Sequence, residues 1–205
     1  MELSGYELLT LMLPVLLFSF SMSVTPGPNN VMLTASGANF GFMRSIPHML
    51  GITVGVMLLM SAVALGLGVL FERWPALMLV LKLLGSAYLL WLGWKIFNSP
   101  PPELRTKTQS RPLTFFQAAL FQFVNPKAWM MAISALASFT LSGDAFIASV
   151  ILIILAMAIV NLPSIALWAS FGVLLGRILK TPRHWCTFNR LMGGLTASCV
   201  VMILI

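Results

Sequence analysis

Of the 205 residues in this chain, 59% are hydrophobic and only 8% charged, where a soluble domain carries about a quarter charged residues. A mean hydropathy of +0.97 leaves more apolar surface than a soluble core can hide, so the composition reads as an all-α integral membrane protein. The net charge of +7 would suggest nucleic acid in a soluble protein. Here it is read as cytoplasmic loop bias, with the lipid bilayer as partner and no nucleic acid.

The chain opens with Glu2 and Glu7 rather than a basic stretch, and no small-residue cleavage site follows the first apolar run. The first segment is therefore expected to be retained. Six spans of about 20 apolar residues emerge, at 8–38, 45–70, 75–97, 115–141, 145–175 and 188–205. The fifth is overlong. Either Pro163 beside Asn161 kinks it, or it ends near residue 162 and a separate short helix follows.

One linker, 98–112, carries Ser99-Pro100-Pro101-Pro102 and scattered charges, and reads as a flexible cytoplasmic loop. It divides the chain into a first three-helix half, 1–97, and a second, 113–205. An odd number of spans per half means that any repeat would be inverted. With the N-terminus outside, the inner loops hold Arg44, Lys95, Arg105, Lys107, Arg111, Arg177, Lys180, Arg183 and Arg190. The outer segments hold Arg73 alone, with Glu2, Glu7, Glu72 and Asp144. That asymmetry predicts both termini outside, which is periplasmic in a Gram-negative bacterium.

Inside the first span stands Ser23-Val24-Thr25-Pro26-Gly27-Pro28-Asn29-Asn30. Pro26 and Pro28 cannot donate backbone hydrogen bonds and clash with the preceding turn, so the helix is expected to break there. Pro28 suits the first turn of a new helix, which would aim the backbone N–H groups around Asn29 and Asn30 back at the break. Polar backbone at that depth must be buried in protein or line a cavity, the local design of a midplane transport site. Val124-Asn125-Pro126, followed by Lys127, stands at a comparable place in the leading span of the second half. Gly27 lets a ligand or neighbouring backbone approach, and Asn29, Asn30 and Asn125 each offer a donor and an acceptor. The candidate substrate site is thus Thr25, Pro26, Gly27, Pro28, Asn29 and Asn30 with Asn125, Pro126 and Lys127.

Lys127 and Lys82 are the two cations placed within spans, and either could meet a carboxylate. Lys82 could instead snorkel toward the outer interface. Asp and Glu are absent from all six span interiors. A basic substrate would want a carboxylate there, so a zwitterionic, neutral amino acid fits better. If a proton gradient is used, a lysine or the substrate itself must carry the proton.

The pairs Gly51/Gly55 and Gly172/Gly176 permit close helix packing. His48 is expected at the inner interface, and Trp74, Trp91, Trp94 and Trp185 are read as interfacial anchors. Cys186 and Cys199 are read as unpaired thiols. No metal-ligand set, nucleotide-binding loop or enzyme motif is found, so neither cofactor nor metal is expected and the chain is read as a non-enzyme.

Taken together, Thr25-Pro26-Gly27-Pro28-Asn29, Gly41-Phe42-x-Arg44, Gly51-Ile52-x-x-Gly55, Lys82-Leu83-x-Gly85-x-x-Tyr88-Leu89 and Asn125-Pro126-Lys127 resemble the LysE/RhtB amino-acid exporters over essentially the whole chain. Phe115-Phe116, Gln122-Phe123-Val124-Asn125 and Trp94-Lys95-Ile96 look most like the cysteine and O-acetylserine exporter branch. The resemblance implies efflux of small amino acids such as threonine, homoserine or cysteine, driven by the proton-motive force, from a bacterial inner membrane, and it allows a homodimer. His48, at a position often small in the family, departs mildly from the pattern. The alternatives kept open are a transmembrane thiol carrier, which some distant relatives are, and a non-transporting scaffold.

Overall fold

Prolines mark where helices begin. The computed structural model describes residues 5–67, 73–101 and 111–201. Pro28, Pro75, Pro126 and Pro182 each open a helix, the one position where a missing N–H and a fixed φ cost nothing. The described helices are α1 Gly5–Val24, α2 Pro28–Phe40, α3 Phe42–Ala62, α4 Pro75–Phe97, α5 Phe115–Gln122, α6 Pro126–Phe139, α7 Phe146–Ile178 and α8 Pro182–Ser198. A π-helical turn, Val63–Leu67, continues α3, and a 3-10 turn, Gly143–Ala145, precedes α7. No strand occurs among the described residues.

The expected first span is therefore two helices separated at residues 25–27, and the expected fourth is two helices separated at 123–125. The fifth is one helix of 33 residues that runs through Pro163 without ending, so the alternative of a separate short helix falls away. The sixth begins at Pro182 rather than at 188, with Thr181 accepting from His184 N as its cap. Among the described residues, three stretches are long and apolar enough to cross a bilayer, namely Phe42–Leu67, Leu79–Phe97 and Gly143–Ile178, with Met12–Val24 a shorter apolar helix. Expectations placed on Glu2, Glu72, Arg105, Lys107, most of the linker and the last four residues lie outside the described residues.

Small residues let the helices approach to backbone contact. A Cβ on Gly37 of α2 would stand 2.0 Å from the carbonyl oxygen of Ala169 on α7, and one on Gly172 would stand 2.1 Å from that of Thr34. Gly51 and Gly55 of α3 meet the carbonyls of Phe115 and Ala119 on α5 in the same way, as Gly93 of α4 meets Gly193 of α8. Such small-residue seams are how helices associate in lipid, where apolar side chains gain nothing from leaving the solvent. A large core forms around Leu33, Ile52, Leu59, Ala132, Ile153 and Met157. A smaller one joins Met32, Leu89, Leu92, Phe121 and Cys199. Large apolar side chains face outward, Phe116 at 74% and Ile159 at 70% exposure, as a lipid-facing surface requires.

Two side chains differ from expectation. His48 is not at the interface but buried, with neither ring nitrogen hydrogen-bonded. Trp185 is also buried, its ring edge-on to Phe188, whereas Trp74, Trp91 and Trp94 are exposed. Near the first turn of α8 the amphipathic helix turns inward what composition alone assigns to the lipid surface.

Candidate functional site: two facing helix breaks

α1 stops because its next residues cannot continue it. Thr25 N still donates to Ser21 O at 3.1 Å, but Pro26 and Pro28 have no N–H to give. Gly27 between them is fully extended, with φ −171° and ψ −179°. Of the carbonyls that the break frees, side chains take up three. Asn30 Nδ2 donates to Ser23 O at 3.0 Å and to Thr25 O at 2.8 Å, while Trp168 Nε1 of α7 donates to Val24 O at 3.2 Å. Each such group left unpaired would cost about 1–3 kcal/mol. The gap is a built feature, not a local defect.

The other end of the gap is less complete. Gly27 supplies no side chain to cap α2, and the first α2 backbone donor bonded to the break is Val31 N, to Gly27 O at 3.1 Å. The N–H groups of Asn29 and Asn30 thus stand at an uncapped, positive helix end.

The second break is built from different residues. α5 ends at Gln122, a turn at Phe123 and Val124 follows, and Asn125 caps α6 by accepting from Lys127 N at 3.2 Å. Trp129 Nε1 donates to the freed Phe123 O at 2.8 Å.

The two breaks meet. Lys127 Nζ donates to Thr25 O across the interface. Asn29 Nδ2 donates to Gln122 Oε1 at 2.9 Å, and Gln122 Nε2 returns the bond to Asn29 Oδ1 at 3.1 Å. Asn125 Nδ2 adds a third contact to Gln122 Oε1 at 3.2 Å. Gly27 is needed here for space, since its φ suits any residue. A Cβ on it would stand 2.8 Å from Lys127 Cδ.

Between the breaks lies a cleft of about 360 Å³, counting the space open at its mouth. Gly27, Pro28, Asn29, Asn30, Asn125 and Lys127 line it. Ser23, Met131 and Ile165 join them, as does Asn161 of α7. Asn161 Nδ2 donates to Ser23 Oγ at 3.2 Å and its oxygen accepts from Thr53 Oγ1 at 3.3 Å, tying α1, α3 and α7 together. None of the described lining residues is acidic.

Six of the ten residues singled out from the sequence therefore line one cleft. Thr25 and Pro26 are exposed beside it, Thr25 contributing its carbonyl, and Pro126 opens α6 at the second break. Lys82 is half-buried on α4 and does not line the cleft. Sequence reasoning gave no role to Gln122, Asn161 or Ser23. Asn161 had a legible signal, a lone amide in a long apolar run beside a proline. Gln122 had only its place three residues before Asn125.

A family model described as LysE type translocator matches residues 20–205. The chain belongs to this family. Among curated proteins, it is 30% identical over 200 residues to the cysteine/O-acetylserine efflux protein of Escherichia coli strain K12, covering 94% of this chain and 99% of that one. The proteins of the same name from Shigella flexneri and Shigella sonnei strain Ss046 match to the same extent. No solved structure matches it. This LysE translocator is thus a multi-pass membrane transport protein, and its two breaks lie within the matched residues.

Proposed function

We propose that this LysE-family protein exports small neutral amino acids, of the cysteine and O-acetylserine kind, across the bacterial inner membrane, driven by the proton-motive force. The observation that carries the reading is the meeting of two helix breaks, Lys127 of one reaching Thr25 O of the other. Broken helices facing each other at depth are how many secondary transporters build a substrate site. The names of the relatives supply the substrate class.

The cleft's chemistry matches a zwitterion. A substrate carboxylate would take the open N–H groups of Asn29 and Asn30 and draw the Lys127 ammonium from Thr25 O. The ammonium of the substrate would then meet Thr25 O and the amide oxygens of Asn29 and Asn125. A cation such as lysine would find no acid in the lining, so it is disfavoured. Between the two lysines, Lys127 is the carboxylate partner, because Lys82 does not reach the cleft.

Six spans in two inverted halves support alternating access through this site. Exchange of the halves would map α1 packed on α7 onto α5 packed on α3, and both contacts are extensive. The same exchange maps the α4–α8 and α3–α7 contacts onto themselves, whereas α2 packs far more extensively on α7 than α6 does on α3, so the correspondence is partial. By the charge bias, both termini lie outside and the linker inside.

The test is efflux from proteoliposomes with a panel of labelled amino acids, with and without an imposed proton gradient. Cysteine or O-acetylserine should be exported only with the gradient. Lys127→Ala should abolish export and Asn29→Ala should cut it by about tenfold or more, while membrane abundance stays normal. Full activity in both variants would remove this site.

A further inference from the structure

A second cleft of about 500 Å³, again counting its open mouth, lies at the far end of α2 from the breaks. Ser36, Asn39, His48, Lys95, Ser99 and Arg111 supply its polar lining, and no described lining residue is acidic. Asn29 in the first cleft and Asn39 in the second are ten residues apart on α2, about 15 Å along the helix, while Met32 brings the second cleft's wall to within two residues of Asn30. α5 runs the other way, from Arg111, Pro112 and Leu113 at this cleft to Gln122 at the break. Two short antiparallel helices therefore connect the clefts. Between them sits the smaller core, Met32, Leu89, Leu92 and Phe121. Met32 and Leu92 form part of the second cleft's wall, and Phe121 directly precedes Gln122.

His48 makes this cleft unusual. It is 1% exposed, it lines the cleft, and neither ring nitrogen has a hydrogen-bond partner. Buried polar groups are nearly always paired, and an orphaned one points to a missing partner. Its neighbours are occupied with one another. Ser36 Oγ meets Ser45 Oγ at 2.7 Å, and Asn39 Nδ2 donates to Asn189 Oδ1 at 2.9 Å. Asn189 Nδ2 in turn donates to Ser99 O at 2.9 Å.

We infer that the second cleft is a separate binding site for the amino-acid substrate, in which His48 hydrogen-bonds the zwitterion and Lys95 and Arg111 attract its carboxylate. This rests on the export reading above. A neutral imidazole offers one N–H and one lone pair. The N–H suits a carboxylate, and the lone pair suits an ammonium. A lipid phosphodiester has no O–H on phosphorus to give the lone pair, and inorganic phosphate, which has one, lacks the ammonium. By the charge bias, this cleft adjoins the cytoplasmic linker, so substrate occupies it before the Met32–Phe121 layer opens toward the breaks.

The experiment uses the full chain in inside-out vesicles, with labelled O-acetylserine added at the cytoplasmic face. His48→Leu should raise KM about tenfold, the effect of one lost hydrogen bond, and leave the maximal rate within about twofold. Arg111→Ala, a substitution at an exposed position, should raise KM by a smaller factor and guards against a folding artefact in the His48 variant. Lys127→Ala should instead lose the maximal rate. Equilibrium binding should count two O-acetylserine molecules per wild-type chain, with one of the two about tenfold weaker in His48→Leu. One molecule per wild-type chain, or an unchanged KM in His48→Leu, overturns this inference and leaves the export reading standing. No export or binding of either amino acid brings down both. The inference also fails if His48→Leu abolishes binding of inorganic phosphate, or dependence on phosphatidylglycerol vesicles, and leaves O-acetylserine binding intact.

Discussion

Asn29 and Gln122, 93 positions apart, exchange two hydrogen bonds of 2.9 and 3.1 Å and so lock the first helix break onto the second. Gln122 is completely buried, and its oxygen also accepts from Asn125. Removing Gln122 takes both of these bonds from the Asn29 amide, at about 1–3 kcal/mol, whereas removing Asn29 leaves Gln122 tied only to its own helix and turn, through Ala118 O and Asn125, and unlocks the breaks. Asn29→Ala and Gln122→Ala should therefore each cut efflux by about tenfold or more. Because the two residues act as one unit, the double variant should be little worse than either single one. Losses that multiply in the double variant would show that the pair does not act together. The readout is initial efflux rate, normalised to protein in the membrane.

Two glycines should separate folding from transport. An alanine at Gly37 would put its Cβ 2.0 Å from the Ala169 carbonyl oxygen, a backbone atom that cannot move aside. Gly37→Ala should sharply reduce the folded protein recovered from membranes. At Gly27 the nearest atom is Lys127 Cδ at 2.8 Å, part of a flexible side chain. Gly27→Ala should fold at normal abundance but displace Lys127 and cut efflux by about tenfold, a small misplacement at a site that depends on position. Fluorescence-detected size exclusion beside the transport assay distinguishes the two. Normal efflux from Gly27→Ala would mean that the Lys127 position in this structure is not needed.

Proline chemistry is local, so the breaks could be read from the sequence. Pro26, Pro28 and Pro126 dictate where helices cannot run, and the observed ends at Val24 and Gln122 follow. Apolar run length likewise placed α4 at residues 75–97. What the sequence could not provide was partner choice. Nothing local ties Gln122 to Asn29, or Asn161 to Ser23 and Thr53, because such pairs depend on which helix faces are brought together. His48 and Trp185 were misplaced for the same reason. Each sits near a helix end, where composition suggests an interface, but tertiary packing turns both inward. Lys82 could already be read as snorkelling toward the outer interface, and the fold places it outside the cleft that Lys127 lines.

Cys186 and Cys199 are both free thiols, and neither lines the cleft between the breaks. Cys199 Sγ contacts Leu195 O at 3.2 Å, a contact that a serine hydroxyl can reproduce. Changing both to serine should leave cysteine and O-acetylserine efflux within about twofold of wild type, because neither thiol lines the cleft and serine keeps the Cys199 contact. A thiol carrier, by contrast, would lose its activity. Loss of cysteine export with O-acetylserine export intact would point to thiol chemistry on the transport path.

The acid-free lining should be what rejects basic amino acids, and Asn161 is where that can be tested. It lies in the cleft wall, accepts from Thr53 at 3.3 Å and donates to Ser23 at 3.2 Å. Asn161→Asp keeps the size and the acceptor while adding one negative charge. The Thr53 bond survives, and Ser23 can rotate its hydroxyl to donate instead of accept, so the fold should hold. A carboxylate there gives a second ammonium group somewhere to go. Efflux of O-acetylserine should fall by about tenfold, and efflux of ornithine or lysine should rise above the empty-vesicle background. Asn161→Leu, which adds no charge, should lose the first activity without gaining the second. If Asn161→Asp exports no basic amino acid although the protein is folded and abundant, charge in the lining is not the selector. Cleft shape would then have to carry the preference for neutral substrates.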